Sequence, residues 1–281
     1  MSSKDTHLLP MFSPRITFGR AVRAETRRLR HSFLLPLHLA CALVAGGGGG
    51  AYFAFAAWNP TLGADAFVQL LGAMMPLMVG IICGIDADLE GEATRFSNLV
   101  AQASRWRVFA ARVFTLWMLG ALALGLAVGV FAGSLQLTGR QSLEATTWIG
   151  TWLGLSLGSV SLYLILYVFA LRWGRNASIA VGAVGLMLAF FSMGGLAHGL
   201  VTGKLTASEL NVFSVLPTSW PALLGALPIE LAVAWHAAGD MASVVLATWQ
   251  QATGICGFGL VICYGGAAWW IRRFEPRQSD A

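Results

Sequence analysis

The sequence predicts an all-α, polytopic membrane protein with six transmembrane helices. Three observations carry this. The chain has 281 residues, 57% hydrophobic and only 11% charged, whereas soluble domains run nearer a quarter charged. Its apolar residues gather in runs of about twenty or more, enough to cross a hydrocarbon core of about 30 Å as helices. The alternating ten-residue segments of a membrane β-barrel are not seen.

The predicted spans lie near 32–58, 66–85, 108–135, 146–171, 178–202 and 253–271. Basic residues orient them. Lys4, Arg15, Arg20, Arg23, Arg27, Arg28 and Arg30 precede the first span. Arg95, Arg105, Arg107 and Arg112 lie between the second and third. Arg172 and Arg175 lie between the fourth and fifth, and Arg272, Arg273 and Arg277 follow the sixth. Only Arg140 and Lys204 fall in the alternate connections, so sixteen of the eighteen Lys and Arg residues share one side. By the positive-inside rule that side is cytoplasmic, together with both termini, residues 1–31 and 273–281. The formal charge of +5 then reflects topology and contact with anionic lipid, and gives no reason to expect nucleic-acid binding. A cleaved signal peptide is a poor reading, because the first apolar run begins near residue 32 and outlasts a signal core. With no linker and no large internal repeat, residues 32–272 form one membrane domain.

Residues up to about 31 contain an amphipathic helix, expected on the inner membrane face. Ile16, Phe18, Val22, Leu29 and Phe33 give it a rough apolar stripe, and Arg20, Arg23, Arg27, Arg28 and Arg30 can snorkel to lipid phosphate. It serves as an interfacial anchor, as a helix that touches a cytoplasmic partner, or as both. In the first span the five glycines at 46–50 weaken the helix by roughly 1 kcal/mol each relative to alanine. They also let another helix approach closely. A phosphate loop is excluded by their depth and by the lack of a following Lys-Ser or Lys-Thr. Pro76 predicts a kink in the second span.

Between the second and third spans lies DADLEGEATRFSNLVAQAS, residues 86–104. Leu89, Ala93, Phe96, Leu99, Val100 and Ala103 recur at steps of three and four, which makes one apolar helical face. Asp86, Asp88, Glu90 and Glu92 crowd its start and Arg105 and Arg107 follow its end, matching a helix dipole. Ser104 can break this helix and cap the next. The plainer reading is a helix lying on lipid, which the acids oppose because the inner surface is negative. The sharper reading is a docking helix for a soluble partner, with Asp88, Leu89, Glu90, Glu92, Arg95, Phe96, Leu99 and Val100 at the contact.

The external connection 203–251 is long yet apolar. Pro217, Pro221 and Pro228 interrupt it, and Trp220, Trp235 and Trp249 punctuate it. It suits short helices that dip back into the outer leaflet or pack on the bundle. Trp220 and Trp235 are candidates for first contact with a membrane-borne substrate.

Much chemistry is missing. There is no Walker A pattern and no HExxH. The span centres hold almost no ionisable groups, which argues against a proton- or sodium-coupled carrier. Asp65, Glu144, Glu209, Glu230 and Asp240 are read as ordinary external acids. Cys41, Cys83, Cys256 and Cys263 lie within spans and read as small buried residues, with no metal or redox spacing. His38 and His198 could face each other, with a hydrogen-bonded packing role the simpler reading.

These features together resemble the permeases of type-2 ABC transporters. The run PLMVGIICGIDADLEGEATRFSNLVAQASRWRVFAARVF resembles the permease subunits of lantibiotic immunity transporters in particular. It has an apolar span ending in Ile82-Cys83-Gly84 and an acidic segment from Asp86 to Glu92. A Phe96-Ser97-Asn98-Leu99 core and a basic start to span three follow. The N-terminal AETRRLRHSF is similar to the family's opening helix. The specific likeness covers about residues 20–135; the glycine run, the alanine-rich tone and the many tryptophans depart from it. The resemblance implies a type-2 ABC exporter fold with an N-terminal amphipathic helix, a cytoplasmic coupling helix at 86–104 and a re-entrant external segment before span six. It implies a non-catalytic subunit of a bacterial plasma membrane, without a cofactor of its own, ATP being bound by a separate ABC ATPase. A second permease copy or a sister permease would complete the assembly. The implied cargo is a cationic, membrane-active lanthionine peptide, expelled for self-protection. A drug, a lipid or another peptide as cargo, or a non-transporting scaffold or sensor subunit, remain the alternatives.

Overall fold

A computed structural model describes residues 17–94, 96, 104–140, 143–192, 205, 207–236 and 239–274. No strand occurs among them. The helices are α1 Phe18–Arg30, α2 Leu34–Phe55, α3 Pro60–Thr94, α4 Arg105–Leu137, α5 Ala145–Trp173, α6 Arg175–Ser192, α7 Trp220–His236 and α8 Met241–Arg272, with a 3₁₀ turn at Val212–Val215 before α7. Among the described residues six helices, α2 to α6 and α8, are long and apolar enough to cross a membrane. The protein is therefore an all-helical, membrane-embedded bundle. Large side chains such as Phe55, Phe258 and Val261 stand exposed on its outside, where hydrocarbon rather than water would meet them.

Several helices overrun the apolar stretch that announced them. Asn59 starts α3 early, its Oδ1 accepting from the backbone N–H of Thr61 and Leu62, with Pro60 as the first helical residue. α8 begins at Met241, so Trp249 and its neighbours belong to that helix and not to the connection before it. The largest revision concerns residues 86–94. They do not start a new helix but complete α3, which runs unbroken to Thr94. Nothing in DADLEGEAT halts a helix: it holds no proline, and Ala, Leu and Glu are good helix formers. The acids accordingly occupy the C-terminal turns of α3, where the dipole opposes them. Ser104 does precede α4, but its side chain makes no capping bond.

Helices α2 to α6 reverse direction in turn, whereas α7 runs the same way as α6, both being antiparallel to α3; polar contacts tie the helix ends. At one end, called here the basic end, Arg105 Nη1 donates to the carbonyl of Phe274 at 2.6 Å. At the far end Arg140 donates to the carbonyls of Ala54, Ala56 and Trp58. It thus serves acceptors that the C-terminus of α2 leaves unpaired.

Between the ends the packing is close because glycines face backbone. A Cβ at Gly46 would collide with the Ala127 carbonyl of α4, and one at Gly50 with Ser134. Gly47 and Gly48 face open space, so the run packs on α4 by one side only. α7 sits against α5 in the same manner: a Cβ at Gly154 would strike the Leu224 carbonyl, and one at Gly158 the backbone at Trp220 and Pro221. Apart from Leu224, residues 220–230 are all buried. The proline-interrupted segment is thus one 17-residue helix packed into the bundle. Phe67 of α3 stacks on Phe131 of α4 with ring centroids 3.9 Å apart, both within the main core.

Candidate functional site: a buried ion network at the basic end

Four helices meet at the basic end around five charged side chains. α1 presents Glu25 and Arg28, one turn apart. α3 presents Asp86 and Glu90, also one turn apart and so on one face. α4 brings Arg112 and α5 brings Tyr167. Arg112 is the hub. Its Nη2 lies 2.7 Å from Glu90 Oε2 and 3.1 Å from Glu25 Oε1, its Nε is 3.8 Å from Asp86 Oδ2, and its Nη1 is 3.3 Å from the Tyr167 hydroxyl. That hydroxyl donates to Asp86 Oδ2 at 2.8 Å. Arg28 closes the ring, 2.5 Å from Asp86 Oδ1 and 2.8 Å from Glu25 Oε2.

Asp86 is wholly buried and Glu90 and Arg112 nearly so. Charges at such depth persist only when paired and hydrogen-bonded. Burial works against the guanidinium charge of Arg28, yet Asp86 and Glu25 outweigh it and hold its pKa above the usual arginine value. The formal sum of three carboxylates and two guanidiniums is −1. The network also answers the dipole problem at the end of α3, because its cations sit where that helix end is negative.

The residues expected at a partner contact divide into four groups. Glu90 faces inward and is part of the network. Asp88, Leu89 and Glu92 face outward: Leu89 is 40% exposed, Glu92 is exposed, and Asp88 pairs loosely with Arg175 at 3.4 Å. Phe96 turns the chain after α3 with a positive φ of 61°, its ring beside Gly91 and 6.2 Å from that of Phe274. Arg95, Leu99 and Val100 lie outside the described residues. On α1, Arg20, Arg23, Arg27 and Arg30 are exposed as an anchor requires; Arg28 departs from that reading and points into the network. The buried face of α1 consists of Ala21, Glu25 and Leu29, whereas Phe18 and Phe33 are largely exposed.

Two further readings are corrected. Trp220 is only 2% exposed and its ring fills the space over Gly259 of α8. It is a packing residue, unable to greet a ligand, whereas Trp235 is 68% exposed. Asp65 and Glu230 are not ordinary external acids: both are buried and they interact electrostatically. Gln69 Nε2 donates to Asp65 Oδ2 at 2.7 Å, and the backbone N–H of Ala207 donates to Glu230 Oε1 at 2.7 Å. Their four-residue spacing on α3 could have linked Asp65 to Gln69, but nothing local ties either to Glu230. His38 has the packing role: its Nδ1 lies 2.6 Å from the Leu34 carbonyl. His198 and Lys204 lie outside the described residues. The four cysteines are free thiols, and among the described residues no cluster of His, Cys, Asp or Glu could hold a metal.

The chain matches no family model, no curated protein and no solved structure. What stands is the architecture: a polytopic helical membrane protein with an ion network joining its amphipathic first helix to three of its spans.

Proposed function

We propose that the chain is the permease subunit of an ATP-driven ABC exporter, worked from the cytoplasm by a separate ATPase. The observation that carries this reading is the ion network, which ties α1, the end of α3 and the start of α4 into one unit. A push on the segment between α3 and α4 would therefore move three elements together. Polar pairs fixed by burial transmit such displacement because they have few alternative arrangements. Asp88, Leu89 and Glu92 leave an outward patch for the motor beside that segment, and Phe96 marks the turn. In this reading the basic end faces the cytoplasm.

For cargo we favour a cationic, membrane-active lanthionine peptide, on the likeness of Ile82-Cys83-Gly84, Asp86 to Glu92 and Phe96 to Leu99 to immunity permeases. The exposed Trp235, on a helix packed at the far end, is where such a peptide in the outer leaflet would meet the protein.

The test is the double substitution Glu92→Lys with Phe96→Ala, both outside the buried network. Membrane insertion should persist while ATP-dependent peptide resistance falls to that of a strain lacking the gene. Unchanged resistance, or failure of the wild-type chain to co-purify with any ATPase, would overturn the assignment.

A further inference from the structure

We infer that the slot between α2, α3 and α4 holds one acyl chain of an anionic phospholipid, whose headgroup rests on the exposed arginines at the end of α1. This goes beyond the transporter reading and stands without it.

The slot has a volume of about 470 Å³, within the usual range of ligand pockets. It is elongated along the helices. On α2 it runs from His38 to Gly49, about 16 Å at 1.5 Å per residue. That is close to half of a hydrocarbon core of about 30 Å, so its length is that of one leaflet's chain.

Its wall is hydrocarbon and sulfur. Met74, Met75 and Met78 line the α3 side, and unbranched thioethers adapt to a flexible chain. His38 and Tyr163 also contribute to the wall, but His38 Nε2 and the Tyr163 hydroxyl are buried within it. A ligand there meets an almost wholly apolar surface, which suits an alkyl chain and disfavours a drug or peptide with amides to satisfy. Val44 and Leu70 of its lining are exposed on the outside of the bundle, where lipid is the neighbour.

The headgroup follows from charge. His38 lies in the second turn of α2, so the slot begins near the basic end. Arg27 and Arg30 stand just ahead of α2, exposed and outside the ion network. A lipid phosphate with its chain in the slot meets these guanidiniums at interface depth.

The test uses the full chain purified in mild detergent, with native mass spectrometry during graded delipidation. The probes are phosphatidylglycerol and phosphatidylcholine of identical chains. One phosphatidylglycerol should outlast the annular lipid. Ala45→Phe and Ala123→Phe, which fill the slot from two helices, should each lower its retention at least fivefold. Arg27→Gln with Arg30→Gln should leave one lipid bound but abolish the preference for phosphatidylglycerol. Wild-type protein titrated with phosphatidylglycerol should melt at a higher temperature, which guards against misfolded variants. No retained lipid and no thermal shift in the wild type would overturn the inference. So would equal retention in folded slot-filled variants, or an unchanged headgroup preference without the two arginines.

Discussion

Arg112 Nη2 lies 2.7 Å from Glu90 Oε2, with each side chain only 3% exposed. This pair joins the second turn past the start of the third span to the end of the second, at a depth where neither charge could stand alone. Arg112→Met should therefore destabilise the protein by about 3–5 kcal/mol, the cost of leaving buried carboxylates without their cation. Adding Glu90→Gln should recover part of that loss. Thermal unfolding in detergent measures both; a single variant as stable as the wild type would refute the hub role.

Glycine at position 154 is required by geometry. Gly154→Val would drive α7 away from α5, because its side chain has only the Leu224 carbonyl to occupy. Ala226, fully buried, gives the readout. As Ala226→Cys it should resist a membrane-impermeant maleimide in an otherwise wild-type chain and become reactive beside Gly154→Val.

The two tryptophans of α7 should part company. Trp220→Ala leaves a cavity over Gly259 and should cost about 3–5 kcal/mol. Trp235→Ala should hardly change stability, within about 0.5 kcal/mol, yet should alter peptide sensitivity under the proposed function. Melting curves and growth-inhibition assays separate the two effects.

At the far end, Asp65→Asn should stabilise the bundle, because it replaces a buried ionisable group with a neutral one while keeping a polar group beside Gln69. A gain of about 1 kcal/mol corresponds to a rise of roughly 2–4 °C in melting temperature. A fall instead would mean that the carboxylate holds a partner that the amide cannot.

Orientation is open to direct measurement. Glu144 and Arg107 are both exposed and sit beyond opposite ends of the bundle. Single cysteines there should react from opposite sides in intact cells, position 144 from outside.

The helices were legible because hydropathy is a property of single residues summed over a window, and six spans emerged from it near their final places. The ion network was only half legible. The acids of residues 86–92 stand out, but the helix dipole points to a helix start, where anions are favoured, and not to the end of α3. Their true partners, Arg28 and Arg112, lie 58 and 26 positions from Asp86 in sequence, and no local rule pairs them. Asp65 and Glu230 were missed for the same reason: a carboxylate at a span's edge looks solvated until another helix covers it. Trp220 and Trp235 had equal standing in the sequence, and only the fold distinguishes the ring that packs on glycine from the one that faces outward.

The placement of α7 also bears on how the chain is made. Its apolar turns are covered by α5 and α3, but the sixth span that holds Trp220 in place is synthesised afterwards. Until Gly259 has been made, the Trp220 ring lacks the surface it packs on, and α7, 17 residues long, is short for a hydrocarbon core of about 30 Å. Truncation before Gly259 should therefore leave α7 loosely held and more open to proteolysis than in the full chain.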